Sequence, residues 1–192
     1  MQITESRLRQ LIREALLTEA AITPELALEM GITFQVNKDG DSAEVIAKRG
    51  EDYVGELTAS KTDLPCKGAW SITWSVADID GLGPIMYDLV MDTISPSPLM
   101  ADREQVSEDA WRVWNFYLKN RPDIEAIQLD DPLNTLTSDI DDNCSQVSAA
   151  WYAKEQDGTW QASPLSKAYR RKNGRTPTMN TLWRLGIVDI NG

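Results

Sequence analysis

Apolar positions recur at helical spacing from the start of the chain. Leu8, Leu11, Ile12, Ala15 and Leu16 share one face, and Arg7, Arg9, Gln10, Arg13 and Glu14 share the other. The pattern predicts an amphipathic leader helix over residues 1–19, with Thr4 as its N-cap and Ile3 placed to staple against Leu8. A helix this short is marginal alone in water. It needs a partner surface, either on its own domain or on another protein. Ala20 to Pro24 break the pattern, and a short helix is expected over residues 24–30. The period then changes to that of strands. Ile32–Val36, Ala43–Lys48, Tyr53–Ala59 and Ala69–Val76 are the strand runs. Turn clusters at Asn37–Asp41 and Arg49–Asp52 and a polar loop through Lys61 and Pro65 separate them. Strands in succession with short turns predict an antiparallel meander.

Helical spacing returns at Ile85, Met86, Leu89, Val90 and Ile94, after the turn Asp80–Pro84, and Pro96 and Pro98 end it. Leu99–Ala101 is short and strand-like. Ser107 reads as the N-cap of a helix carrying Ala110, Trp111, Val113, Trp114 and Tyr117, which Asn120–Pro122 stops. Ile124–Leu129 is a further strand. Asp130 to Asp142 is acidic and rich in Asn, Ser and Thr, and it reads as a solvated loop. It lacks the ligand order of a dedicated calcium loop. From Lys167 to Arg184 the charge reverses, and the simplest use of that basic tail is to pair with the acidic loop. A last helix is expected over Thr178–Leu185, stopping at Gly186.

Composition narrows the chemistry. Of 192 residues, 42% are hydrophobic and 26% charged, so a single domain can bury a real core. A net charge of -11 argues against a nucleic-acid coat. No run approaches the length of a membrane span. The chain has no histidine, which excludes Ser-His-Asp and Cys-His catalysis and His-bearing zinc sites. No metal site is expected. Cys66 and Cys144 are the only cysteines, too few for a disulfide framework, so a reducing compartment and free thiols are the expectation.

The element order itself points to a family. A meander, a glycine turn opening a helix, a strand, a helix and a strand resemble the GNAT family of N-acetyltransferases that use acetyl-coenzyme A. Tyr53-Val54-Gly55-Glu56-Leu57 resembles that family's third strand with its Val-Gly pair. Asp78-Ile79-Asp80-Gly81-Leu82-Gly83 falls on its Gln/Arg-x-x-Gly-x-Gly turn. Ser107 to Trp114 falls on its later Asn-x-x-Ala-x-x-Leu-Tyr helix. The resemblance covers residues 31–130 and implies an α/β (α+β) fold with a central mixed, mainly antiparallel sheet flanked by helices. It implies that Gly81, Leu82, Gly83 and Ile85 hold acetyl-coenzyme A, whose pyrophosphate would meet the N–H groups at the helix start. It also implies transfer to an amine acceptor, with Glu56 as base through water and Tyr117 as the acid for the leaving thiolate. Three departures stand out. Asp78 replaces the family's Gln or Arg, and each carboxylate beside a pyrophosphate costs about 1–3 kcal/mol. Pro84 removes one N–H donor. Trp114 occupies the place of the family's acid tyrosine, and an indole cannot protonate a thiolate.

The leader resembles openings on proteins of large tailed bacteriophages, and Leu17-Thr18-Glu19 before Ala20 resembles the Leu/Ile-x-Glu pattern cut by T-even-type prohead proteases. The expected organisation is a leader over 1–19, a GNAT-like domain over 20–130, and an acidic loop and basic extension over 131–192 packing on that domain. The expected setting is the host cytoplasm and the virion. Phage head or scaffold proteins are candidate partners through residues 3–16. The rival expectation is a non-catalytic GNAT-fold virion protein, processed after Glu19.

Overall fold

The structure is a computed structural model that describes residues 21–133, 135–148, 151 and 159–191. The leader and its cleavage-like site lie outside the described residues.

The meander forms as the pattern predicts: β1 (Ile32–Asp39), β2 (Ser42–Arg49), β3 (Asp52–Lys61) and β4 (Trp70–Ala77) pair antiparallel in order. A short helix, α1 (Pro24–Glu29), precedes them, capped by Thr23. Strict alternation sends Ile32, Phe34, Val36, Ala43, Val45, Ala47, Leu57 and Ala59 into the core. The helix α2 (Gly83–Ile94) packs on that face with Ile85, Met86, Leu89, Val90 and Ile94 buried. Gly55 marks the closest approach of helix to sheet. A Cβ there would stand 3.0 Å from Met86 Sδ and 3.2 Å from Leu82 Cδ2. Then follow β5 (Leu99–Met100), α3 (Glu108–Asn120) with Ser107 as its cap, and β6 (Ile124–Gln128).

The chain beyond residue 130 is part of the sheet and not only packed upon it. β7 (Lys167–Arg171) inserts antiparallel between β5 and β6. α4 (Pro177–Leu185) ends at Gly186, whose φ of 68° is the left-handed conformation glycine accepts without strain. β8 (Val188–Asn191) then returns parallel to β1. The result is one eight-stranded sheet in the order β6-β7-β5-β4-β3-β2-β1-β8, a mixed α/β architecture with mostly antiparallel pairing. Among the described residues no helix is long and apolar enough to cross a membrane.

Three expectations are corrected here. Cys66 and Cys144 are not free thiols: they form a disulfide across 78 residues of sequence, with Cα atoms 4.9 Å apart. It lies fully buried beside Met100 of β5 in a small core with Ala69, Leu129 and Ala168. The acidic loop is not simply solvated, because Asp130, Asp131 and Asp142 are buried. The Asp130 carboxylate accepts the N–H groups of Leu136 and Thr137, and Asp142 accepts the Thr137 hydroxyl. The basic residues of the tail whose ion pairs are described pair elsewhere. Arg170 reaches Glu125, Arg171 reaches Asp92 and Arg184 reaches Glu25. Lys67, from the cysteine loop, pairs with Asp139 and Asp142 instead.

Closing so long a loop removes a large share of the unfolded chain's freedom. The denatured, unreduced protein is therefore expected to take up no thiol alkylating reagent. A Cys66→Ala/Cys144→Ala double variant should lose about 2–5 kcal/mol in a denaturant titration. Alkylation of both cysteines without reductant would show that the bridge is absent.

Candidate functional site

The site begins with a mismatch in the sheet. β4 and β5 run parallel, but they pair only at Trp70–Leu99 and Ser71–Met100. Just past that point the register of β3 against β4 slips: Ala59 faces Ile72 while Thr58 faces Trp74, which leaves Thr73 as the extra residue of a bulge. A bulge bends its strand and increases its twist. β4 thus turns away while the chain after β5 departs towards α3. From Ile72 to Ala77 the outer edge of β4 has no strand partner among the described residues.

Between the parted strands lies a cleft of about 440 Å³. One wall is β4 with Trp74 and Ser75; the other is the segment from Asp102 to Ser107; Tyr87 of α2 and Trp114 of α3 form the floor. Asp78 donates its N–H to Val54 on β3. Amides alternate sides along a strand, so Ser75 and Ala77 direct theirs away from β3, along the cleft edge. The far wall is held from behind. The Arg103 guanidinium is buried and donates to the carbonyls of Cys144, Ser145 and Leu165, while Gln146 donates to the carbonyl of Asp102. Burial brings Arg103 down to about 10. Cys66 stands four residues before β4 and Cys144 packs on β5, so the disulfide sits at the closed end of the cleft, where the two strands still pair.

The expected cofactor residues cluster at the turn after β4. Gly81 adopts φ 79°, and its carbonyl accepts the Ile22 N–H at 3.0 Å. Leu82 is the N-cap of α2 and is fully buried, with no side-chain cap bond. The N–H groups of Gly83 and Ile85 belong to the first turn, which has no carbonyl four residues back to accept them. Pro84 contributes none. The Ile85 side chain is in the core. These residues are not among the lining residues of the cleft.

The two expected catalytic residues are not brought together. Glu56 lies half-buried on the sheet face opposite α2, between Ile46 and Val76 on the neighbouring strands. Tyr117 is buried beneath α3. Its hydroxyl donates to Asp88 Oδ1 at 2.7 Å and lies 3.4 Å from the Pro84 carbonyl. Burial, reinforced by Asp88, holds the phenol well above its ordinary value. Tyr87, at the cleft floor, is pushed up to about 12 by burial and is hydrogen-bonded with Ser75.

The polar residues that sequence reasoning missed are Asp88 and Asp92, one turn apart on α2. Asp88 accepts Tyr117, the Arg121 guanidinium at 2.8 Å, and the Thr178 hydroxyl of α4. Asp92 accepts Arg171 at 2.9 Å, together with the N–H and hydroxyl of Thr176, the α4 N-cap. Burial pushes the Asp92 carboxyl upward, against the effect of Thr176. Carboxylates inside an apolar run were the available signal. Among the described residues no group of three or more acidic, cysteine or histidine side chains is placed to hold a metal ion.

No family model, curated protein or solved structure matches this chain.

Removing one partner of a buried charged pair leaves the other uncompensated. Asp88→Ala is expected to lose about 3 kcal/mol of stability and Tyr117→Phe about 1 kcal/mol, because the phenol contributes only one of several bonds to Asp88. Denaturant midpoints check both; an Asp88→Ala variant as stable as the parent would remove the anchoring role.

Proposed function

We propose that the chain is a GNAT-like acyltransferase that binds acetyl-coenzyme A along the β4 edge and transfers the acetyl group to an amine. The observation that carries this reading is the parting of β4 from β5 beside an uncapped, glycine-led helix start. An extended chain bearing amides can add to an unpaired strand edge through the outward amides of Ser75 and Ala77. A phosphate can take the N–H groups of Gly83 and Ile85, aided by the helix dipole. The order of elements, from meander to glycine turn, helix, strand and helix, is the one that resembles the family. Asp78 and Asp80 oppose a phosphate at the turn, but both are exposed, and water screens them to the lower end of the range given above.

A direct transfer needs a base for the amine and a proton for the leaving thiolate. Glu56 remains the proposed base through water. Tyr117 remains the proposed acid only if α3 moves, since its hydroxyl is engaged with Asp88. That engagement favours the second reading, a non-catalytic module of a phage particle. On this second reading the cleft binds a ligand without turnover and the leader carries the partner contact.

Thermal unfolding with and without acetyl-coenzyme A tests the first reading. At about 100 times the dissociation constant, linkage adds about 2.7 kcal/mol, a rise of about 5–10 °C for a chain of this size. Gly83→Glu should abolish the rise without unfolding the protein. A Cβ at Gly83 meets only Val113 Cγ2, at 3.8 Å, and a carboxylate suits a helix start while it competes with phosphate. No rise in the parent protein at millimolar cofactor would reject coenzyme binding.

A further inference from the structure

The charge of the cleft is independent of the glycine turn. Among the described residues its lining holds two carboxylates, Asp102 and Glu104, and no lysine or arginine side chain reaches into it. Arg103 lies in the same wall, but its guanidinium is turned inward to three carbonyls. Arg112, on the adjoining helix, is paired with Glu108 and Asp109. The start of α3 also meets the cleft, and a bare helix start would favour anions. Here Ser107 caps it, and Glu108 and Asp109 occupy its first turn. The rest of the lining is uncharged, and it includes three aromatic residues with Ile72, Val106 and Ala110 between them. Trp74 stands 57% exposed at the mouth, and Tyr87 and Trp114 lie edge to face, 5.1 Å apart, on the floor.

Carboxylates beside an exposed indole suit a cation with an apolar body. The carboxylates supply attraction, and the Trp74 ring supplies cation–π contact and dispersion, while Tyr87 and Trp114 close the floor beneath. An anion would meet the same groups as repulsion. We infer that this cleft selects a small organic cation, an ammonium group on an apolar or aromatic body, with Glu104 and Trp74 as its recognition residues. The inference concerns the cleft alone and holds whether or not a coenzyme binds at the turn. If the transferase reading also holds, the cation occupies the acceptor side.

The test uses two probes of similar shape and opposite charge, phenethylamine and 3-phenylpropionate, titrated into the full chain by amide and indole NMR. The expected result is saturable shifts of the Trp74 indole and of residues 102–107 with phenethylamine at millimolar concentrations, and binding of the anion at least about ten-fold weaker. Glu104→Gln should weaken the amine by about five-fold and leave the anion no weaker. Trp74→Ala should weaken the amine by about three-fold or more. Both side chains are exposed at the cleft, so neither variant endangers the fold. Equal binding of the two probes, loss of neither on substitution, or no shifts at about 50 mM amine would overturn the inference. A thermal rise with acetyl-coenzyme A, or its absence, leaves this result untouched, so the two readings fail separately.

Discussion

Two buried carboxylates one turn apart on α2 hold the separate parts of this molecule in register. Asp88 and Asp92 are placed where an apolar helix would ordinarily carry only hydrocarbon. Taking a charge out of water is costly unless every oxygen is met. Here Asp88 is met by Tyr117 and Arg121 from the end of α3 and by Thr178 from α4. Asp92 is met by Arg171 of β7 and by the cap of α4. Hydrocarbon packing would bring α3, α4 and β7 to α2, but it would not fix their angle or register. The charged bonds are directional, so they choose one arrangement. Although burial works against its charge, Asp123 and Asp88 together hold the Arg121 guanidinium above its ordinary value.

With α2 fixed, the cleft follows from the sheet. β4 and β5 share two residue pairs and then part at a bulge. Parallel strands that diverge need something to stop the vertex from sliding. β7 pairs with β5 from the far side, and the disulfide ties the loop before β4 to the segment behind the opposite wall. That segment in turn receives Arg103, whose three bonds set the course of the cleft wall. The bridge therefore fixes the shape of the cleft as well as limiting the unfolded chain.

The sequence made the local parts of this architecture legible. Alternation in Ile32–Val36 and Ala43–Lys48, the Ser107 cap and the Gly186 stop all act within a few residues, and each produced the expected element. What was illegible depends on distant partners. In β7 three of the five residues are cationic, so Lys167–Arg171 reads as a basic run; its place between β5 and β6 is decided by partners more than 30 residues earlier. Cys66 and Cys144 are far apart in the chain, and nothing near either one announces the other. Helical spacing placed Tyr117 on the Trp114 face correctly. It could not show that Asp88, 29 residues before it, takes the hydroxyl into the core. The glycine turn was legible as a turn, whereas the cleft beside it arises from a register slip that no periodicity displays.

Net charge is a poor guide to what such a molecule binds, because bulk salt screens exposed charges beyond about 10 Å. The arrangement close to each site decides instead. At the turn, exposed Asp78 and Asp80 are set against the first-turn N–H groups of Gly83 and Ile85, which have no partner within the helix. Water weakens the carboxylates more than it weakens donors aligned on the axis of a helix. In the cleft the balance is reversed: the helix start is capped and neutralised, and Asp102 and Glu104 stand beside the Trp74 indole with no cationic side chain among the described lining residues. The turn and the cleft therefore favour opposite charges, and β4 leads along the chain from the cleft to the turn. On the proposed transferase reading, the anionic part of a ligand pair belongs at the helix start and the cationic part beside Trp74 and Glu104, so that charge alone would distinguish the two positions.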